Sequence, residues 1–152
     1  MWNEQIIMML LEGIKDTLYM TLTSTLIGYV IGLPMGILLT VTDKDGIHPN
    51  AAVYKVLDVI ANLIRSVPFL ILLIVLIPFT RFLIGRSYGP TATIVPLVIA
   101  AAPYIARMVE SSLKEVDAGV IEAARSMGAS NFTIVTKVML VEARTSLIVG
   151  AT

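Results

Sequence analysis

Three long stretches, nearly free of charge, constrain this chain more than anything else in it. Residues 17–42 run for 26 positions without a charged residue. Residues 87–106 do so for 20, and residues 59–80 hold 22 positions with the single charge Arg65. A bilayer core about 30 Å thick needs roughly 20 apolar helical residues to cross it. The backbone in that core must satisfy its own hydrogen bonds, which a helix does. The three stretches therefore predict three membrane-spanning helices. Charged residues make up only 14% of the chain, against about 25% in soluble domains. A soluble protein with three buried helices does not account for such blocks. The opening MWNEQ lacks a positive n-region, and the first stretch is too long for the apolar part of a secretory signal.

The basic residues sort by side. With the N-terminus outside, the outer segments hold Lys15, Arg81 and Arg86. The inner segments hold Lys44, Lys55, Arg65, Arg107, Lys114, Arg125, Lys137 and Arg144. That bias predicts an outside N-terminus and a cytoplasmic segment 107–144. The apolar tail TSLIVGAT, residues 145–152, reads as the start of a fourth span, and truncation is the expectation. The whole chain, 1–152, reads as one all-α membrane bundle: three full spans, about 17–42, 59–80 and 87–106, plus the start of a fourth at 145–152.

The loop DKDGIHPN, residues 43–50, reads as a turn, followed by a helix over 51–64 leading into the second span. Asp58 and Arg65 share a helical face. Arg65 either snorkels to the inner interface or pairs with an acid inside the bundle. In the first span Gly28, Gly32 and Gly36 recur every fourth residue. Such a stripe lets a second helix approach closely where lipid supplies no hydrophobic drive, so it predicts a packing seam within or between subunits. Pro34, Pro68, Pro78, Pro96 and Pro103 are each able to bend a helix. No acid lies inside any span, which disfavours a proton relay or carboxylate cation site.

Enzyme chemistry finds little to stand on. There is no cysteine, and the one histidine, His48, sits in the polar loop, so a zinc site is not expected. HExxH, GxSxG and P-loop motifs are absent, as is any catalytic constellation. The net charge of 0 gives no sign of a nucleic-acid partner.

The most polar part of the chain contains EAARSMGAS, residues 122–130. Asp117 is placed to cap a short helix and Gly128 to end it as a left-handed residue. Val120, Ile121, Ala124 and Met127 read as one apolar face. Ser130 is placed to cap a second helix over 131–144. A short helix with small residues, held outside the bilayer, is shaped to enter a groove on a soluble partner. The alternative is an interfacial helix lying on the lipid.

These residues resemble a known motif. Permease subunits of bacterial ABC importers, the binding-protein-dependent transport family, carry a cytoplasmic EAA loop: EAA, three residues, Gly, nine residues, then I-x-L-P. Here Glu122, Ala123 and Ala124 lead to Gly128, and nine residues on come Val138, Met139, Leu140 and Val141. Val138 stands for the isoleucine, and Val141 replaces the proline, which implies a less bent second helix. The stretches RSVPFLILLIVLIPFTR, IVPLVIAAAPYIARMVE and TLYMTLTSTLIGYVIGLPMGILL are similar to membrane helices of methionine importer permeases.

The resemblance implies a type I importer permease in the bacterial inner membrane, working as a homodimer with two copies of a cytoplasmic ATPase and an extracytoplasmic amino-acid binding protein. ATP and Mg would be bound by the ATPase, with no cofactor in this chain. Glu122, Ala123, Ala124 and Gly128 would form the ATPase-coupling site, supported by Leu140. No motif marks substrate-pocket residues. The competing readings are a non-transport scaffold with a docking loop and an inactive truncated permease. Substrate-dependent ATP turnover separates the first of these from a transporter.

Overall fold

The computed structural model describes residues 3–44, 46–86 and 89–151. Among them all regular structure is helical. Helix α1 runs from Glu4 to Thr42, 39 residues. It begins well before the uncharged stretch because Asn3 caps it, its side-chain oxygen accepting the Ile6 N–H at 2.9 Å. The charged residues from Glu4 to Asp16 bar that segment from the hydrocarbon, but they do not break a helix. At 1.5 Å per residue α1 is about 58 Å long, well beyond a bilayer core of about 30 Å.

The expected second span is divided. Helix α2, Ala51–Ser66, and helix α3, Phe69–Val75, meet at 106°. The cause is local: Val67, preceding Pro68, is extended at φ −83° and ψ 127°. Proline disfavours the helical conformation in the residue before it. A second break at Leu76 starts helix α4, Ile77–Ile84, with Pro78 in its first turn. Gly85 closes α4 at φ 90°, its N–H donating to the Arg81 carbonyl at 2.8 Å. Pro34, Pro96 and Pro103, by contrast, lie within continuous helices. Two described helices are long and apolar enough to cross a membrane, three if the bent pair is one span.

Helix α5, Pro90–Leu113, is the centre. The expected start of this span, Ser87, lies outside the described residues together with Tyr88. Helices α1, α2, α3 and α4 and the last helix of the chain, Arg144–Ala151, all pack on α5. Its main partner is α1, and the contact is made by small residues. Gly28, Gly32 and Gly36 are buried, and Ser24 and Thr40 extend the same four-residue repeat in both directions. A Cβ built on Gly32 would stand 2.8 Å from the Ala102 carbonyl oxygen. One on Gly36 would stand 2.6 Å from that of Ala106 and 2.7 Å from the Val109 Cβ. Backbone therefore lies against backbone, with no room for a methyl group.

Beyond α5 come helix α6, Ala118–Ser126, and a composite helix: α7, Asn131–Thr133, a π-helical segment Ile134–Met139, and α8, Leu140–Glu142. Helix α9, Arg144–Ala151, follows; Thr152, the end of the expected fourth span, lies outside the described residues. The expected regular helix over 131–144 is thus interrupted twice. Ile134 and Met139 are both buried and lie five residues apart. The i→i+5 hydrogen bonding of a π turn suits that spacing, turning both toward the core. With Ile47, Ile105, Val109, Leu113 and Ala143 they form the apolar core at one end of the bundle.

The seam yields a graded expectation. Gly32→Ala and Gly36→Ala force helices apart that cannot yield backbone, costing about 1–3 kcal/mol each. Gly28→Ala meets only the Ile105 Cδ1 at 3.1 Å and the Ala101 Cβ at 3.5 Å, and costs less. Thermal unfolding in detergent, followed for the three variants, checks the order.

Candidate functional site

Helix α6 is bounded on both sides by the residue types its termini need. The Asp117 carboxylate accepts the Gly119 N–H at 2.9 Å. At the other end the Ala129 N–H donates to the Ala124 carbonyl at 3.1 Å and the Gly128 N–H to Arg125 at 3.0 Å. That pair of bonds is a Schellman motif, and Gly128 takes the left-handed conformation it needs at φ 85°. Ser130 then caps α7, its hydroxyl accepting the Thr133 N–H at 3.2 Å. The two helices are therefore joined by a short, fully specified corner.

The faces of α6 divide differently from the sequence expectation. Ile121 and Ala124 pack against the Ile47–Ile105–Val109 core, and Ala129 follows them. Val120 is exposed, and Met127 is 87% exposed. The helix ends at Ser126, so Met127 is carried off the apolar stripe by the capping turn. Glu122 and Ala123 are exposed on the outward side, Ala124 is half-buried, and Leu140 is half-buried on the core from the composite helix. Phe132, just past the corner, is 78% exposed. The outward surface thus combines Glu122 and Ala123 with two large uncovered apolar side chains.

One polar contact ties α6 to the turn that follows α1. Arg125 donates to the Ile47 carbonyl at 2.6 Å. The turn itself folds back on α1: the His48 N–H donates to Val41 at 3.1 Å and the Asn50 N–H to Thr42 at 3.0 Å. Gly46 is needed there, because a Cβ would overlap the carbonyl oxygens of Thr40 and Val41. His48 stays exposed. Between this turn, α5 and α6 lies a cavity of about 480 Å³ whose lining includes Asp43, Lys114, Glu122 and Arg125.

Behind the cavity runs a chain of ion pairs that the sequence reading missed. Lys114 Nζ is 2.6 Å from Asp43 and 2.8 Å from Glu110. The second oxygen of Glu110 accepts from Arg107 at 2.9 Å, and Arg107 also pairs with Asp58 and donates to Asn62 at 3.1 Å. Glu110 is only 7% exposed. Asp58 thus pairs with Arg107; Arg65 is exposed and forms no ion pair among the described residues. The spacing of Arg107, Glu110 and Lys114, three and four apart, was the available signal. Burial lowers the Lys114 pKa, but hydrogen bonds to Asp43 and Glu110 outweigh it and raise the net value. The hydrogen bond from Lys114 holds the Asp43 carboxyl below its ordinary pKa, against the opposing effect of burial. Among the described residues there is no His, Asp or Glu cluster able to hold a metal.

Comparison with known proteins places this geometry in a family. Residues 7–152 match the model of the binding-protein-dependent transport system inner membrane component. The chain is similar to the D-methionine transport system permease protein MetI of Salmonella typhimurium, 49% identical over 150 residues that cover 99% of this chain and 69% of that protein. The protein of the same name from Escherichia coli strain K12 is 49% identical over the same shares. Among solved structures, a chain of the inward-facing MetNI methionine ABC transporter superposes with a TM-score of 0.95 at 49% identity, covering 99% of this chain and 69% of that one.

The Asp43–Lys114 pair makes this end of the bundle acid-sensitive. Because the Asp43 pKa is depressed on folding, its contribution is complete above the ordinary aspartate value of about 3.9. It is lost as pH falls through the lower folded value. Asp43→Asn is therefore expected to lower the melting temperature at pH 7 and to flatten its decline below about pH 4. Melting curves of both proteins across that range provide the check.

Proposed function

This chain belongs to the binding-protein-dependent transport system inner membrane component family, and from that premise we propose that it is the membrane-spanning subunit of an ATP-driven methionine importer. The observation that carries the reading is 49% identity to D-methionine permeases along 99% of the chain. The protein supplies the path and no catalytic group. ATP is bound with Mg and hydrolysed in a separate cytoplasmic subunit, two copies of which sit beneath a dimer of this permease. An extracytoplasmic binding protein delivers the amino acid. The N-terminus lies outside and α6 inside, in keeping with eight basic residues on the inner side and three on the outer.

In this reading α6 is the coupling helix. The small Ala123 lets the outward face seat in a groove of the ATPase, and Glu122 gives a polar contact there. Ala124 and Leu140 hold the helix from behind. Gly128 makes the corner that aims it. Met127 and Phe132, both exposed, add apolar surface beside the motif. ATP binding closes the ATPase dimer, draws the two coupling helices together and opens the path outward; hydrolysis resets it. The apolar, acid-free spans suit a zwitterionic substrate with an uncharged side chain better than a cation.

Gly128 offers the sharpest test. A Cβ there meets no atom within 4 Å, so any effect comes from the backbone conformation and not from crowding. Forcing a β-branched residue into it costs about 1–2 kcal/mol and turns the corner. Gly128→Val is expected to insert into the membrane normally but to lose most ATPase subunit in pull-downs from detergent. Methionine-stimulated ATP hydrolysis should fall with it. Full retention of the ATPase would sink the coupling assignment.

A further inference from the structure

The ion pairs behind α6 join the end of α1, α5 and α2, adding directional ties to elements that also pack on one another. Helix α2 buries just one residue fully, Ala61, so its position rests heavily on polar ties to α5. Those ties are Asp58 and Asn62, one turn apart, both reaching Arg107. Arg107 is held in turn by the buried Glu110, whose two oxygens engage different cations. The second cation, Lys114, reaches Asp43 at the base of the turn that receives Arg125 from α6. The contacts therefore run without a gap from α6 to α2. They arrive about one and a half to two and a half turns before the Val67–Pro68 break, where α2 and α3 meet at 106°.

A buried carboxylate with each oxygen on a different cation resists rearrangement, because moving either partner leaves charge uncompensated in a poorly solvated place. Such a group transmits displacement better than it absorbs it. A packed apolar contact of similar size could slide; this one is directional on both sides.

We infer that Asp43, Lys114, Glu110, Arg107 and Asp58 form a relay that carries movement of α6 to α2 and to its bend with α3. The relay rests on the coupling reading of α6. It makes these five positioning residues for transport. None belongs to the surface that meets the ATPase. It also gives the break at Pro68 a role as the joint on which the transmitted movement acts.

The test uses the assembled importer in proteoliposomes, with Asp58→Asn and Lys114→Met at the two most accessible members of the chain, and Lys114→Arg as the variant that keeps the charge. Three quantities are measured: ATPase subunit retained, ATP turnover, and radiolabelled methionine moved per ATP hydrolysed. The relay predicts that Asp58→Asn and Lys114→Met retain the ATPase and turn over ATP within about twofold of the parent, while methionine per ATP falls at least about fivefold. Lys114→Arg restores the ratio. An unchanged ratio in both disrupted variants overturns the relay. Loss of the ATPase from Lys114→Met also overturns it, since the residue then belongs to docking. Failure of the unsubstituted permease to retain the ATPase strikes instead at the coupling reading beneath it.

Discussion

The close approach of α1 to α5 is the constraint on which the remaining structure depends. Inside a bilayer there is no hydrophobic gain in bringing two apolar helices together, so packing must supply the attraction. Ser24, Gly28, Gly32, Gly36 and Thr40 form a flat stripe on α1. The Ala102 and Ala106 carbonyls of α5 lie almost on its backbone. Helix α5 is then free to present its other sides to α2, α3, α4 and α9. The Ser24 hydroxyl is buried without a hydrogen-bond partner among the described residues, a cost tolerated within a seam that has no room for a larger side chain. At the far end the Thr40 hydroxyl returns to the Gly36 carbonyl at 2.9 Å, so that polar group is satisfied within its own helix.

At the end of the bundle nearest α6 the principle changes from shape to charge. Apolar packing continues through Ile105, Val109 and Leu113, but the elements meeting there are short and turn sharply. Two cations on either side of Glu110 hold them. Removing only one member of such a set leaves the others uncompensated, which is why a charge chain specifies an arrangement more strictly than it stabilises one. The chain and the seam meet on α5, with Arg107, Glu110 and Lys114 following directly on the seam's last contact region at Ala106 and Val109.

Much of this was legible in the sequence, and the parts that were not share a cause. The uncharged stretches revealed α1 and α5, since hydrocarbon excludes charge wherever it falls along a helix. The caps of α6 and α7 were legible because Asp117, Gly128 and Ser130 act within a few residues of themselves. The Gly stripe was visible as a repeat, though its partner was not. What sequence could not give was direction. Pro68 marked a break, but the 106° turn of α3 comes from what surrounds it as well as from Val67. The pairing of Asp58 with Arg107, 49 positions away, required the fold. Helical periodicity placed Met127 on the apolar face of α6, and the capping turn removed it. The missing proline at Val141 suggested a straighter helix, whereas the burial of Ile134 and Met139 produced a π segment upstream.

The anchorage of α6 is correspondingly thin and specific. Two of its side chains, Ile121 and Ala124, lean on the core, and no residue in it is fully buried. A nine-residue helix with so little buried area would not hold its place by packing alone. Its position comes instead from three directional devices: the Asp117 cap, the Schellman corner at Gly128, and the Arg125 bond to the Ile47 carbonyl. Only the last reaches across to another element. An element held in this way keeps its orientation while leaving its outer surface free, and the turn that Arg125 grips ties it directly to the end of α1.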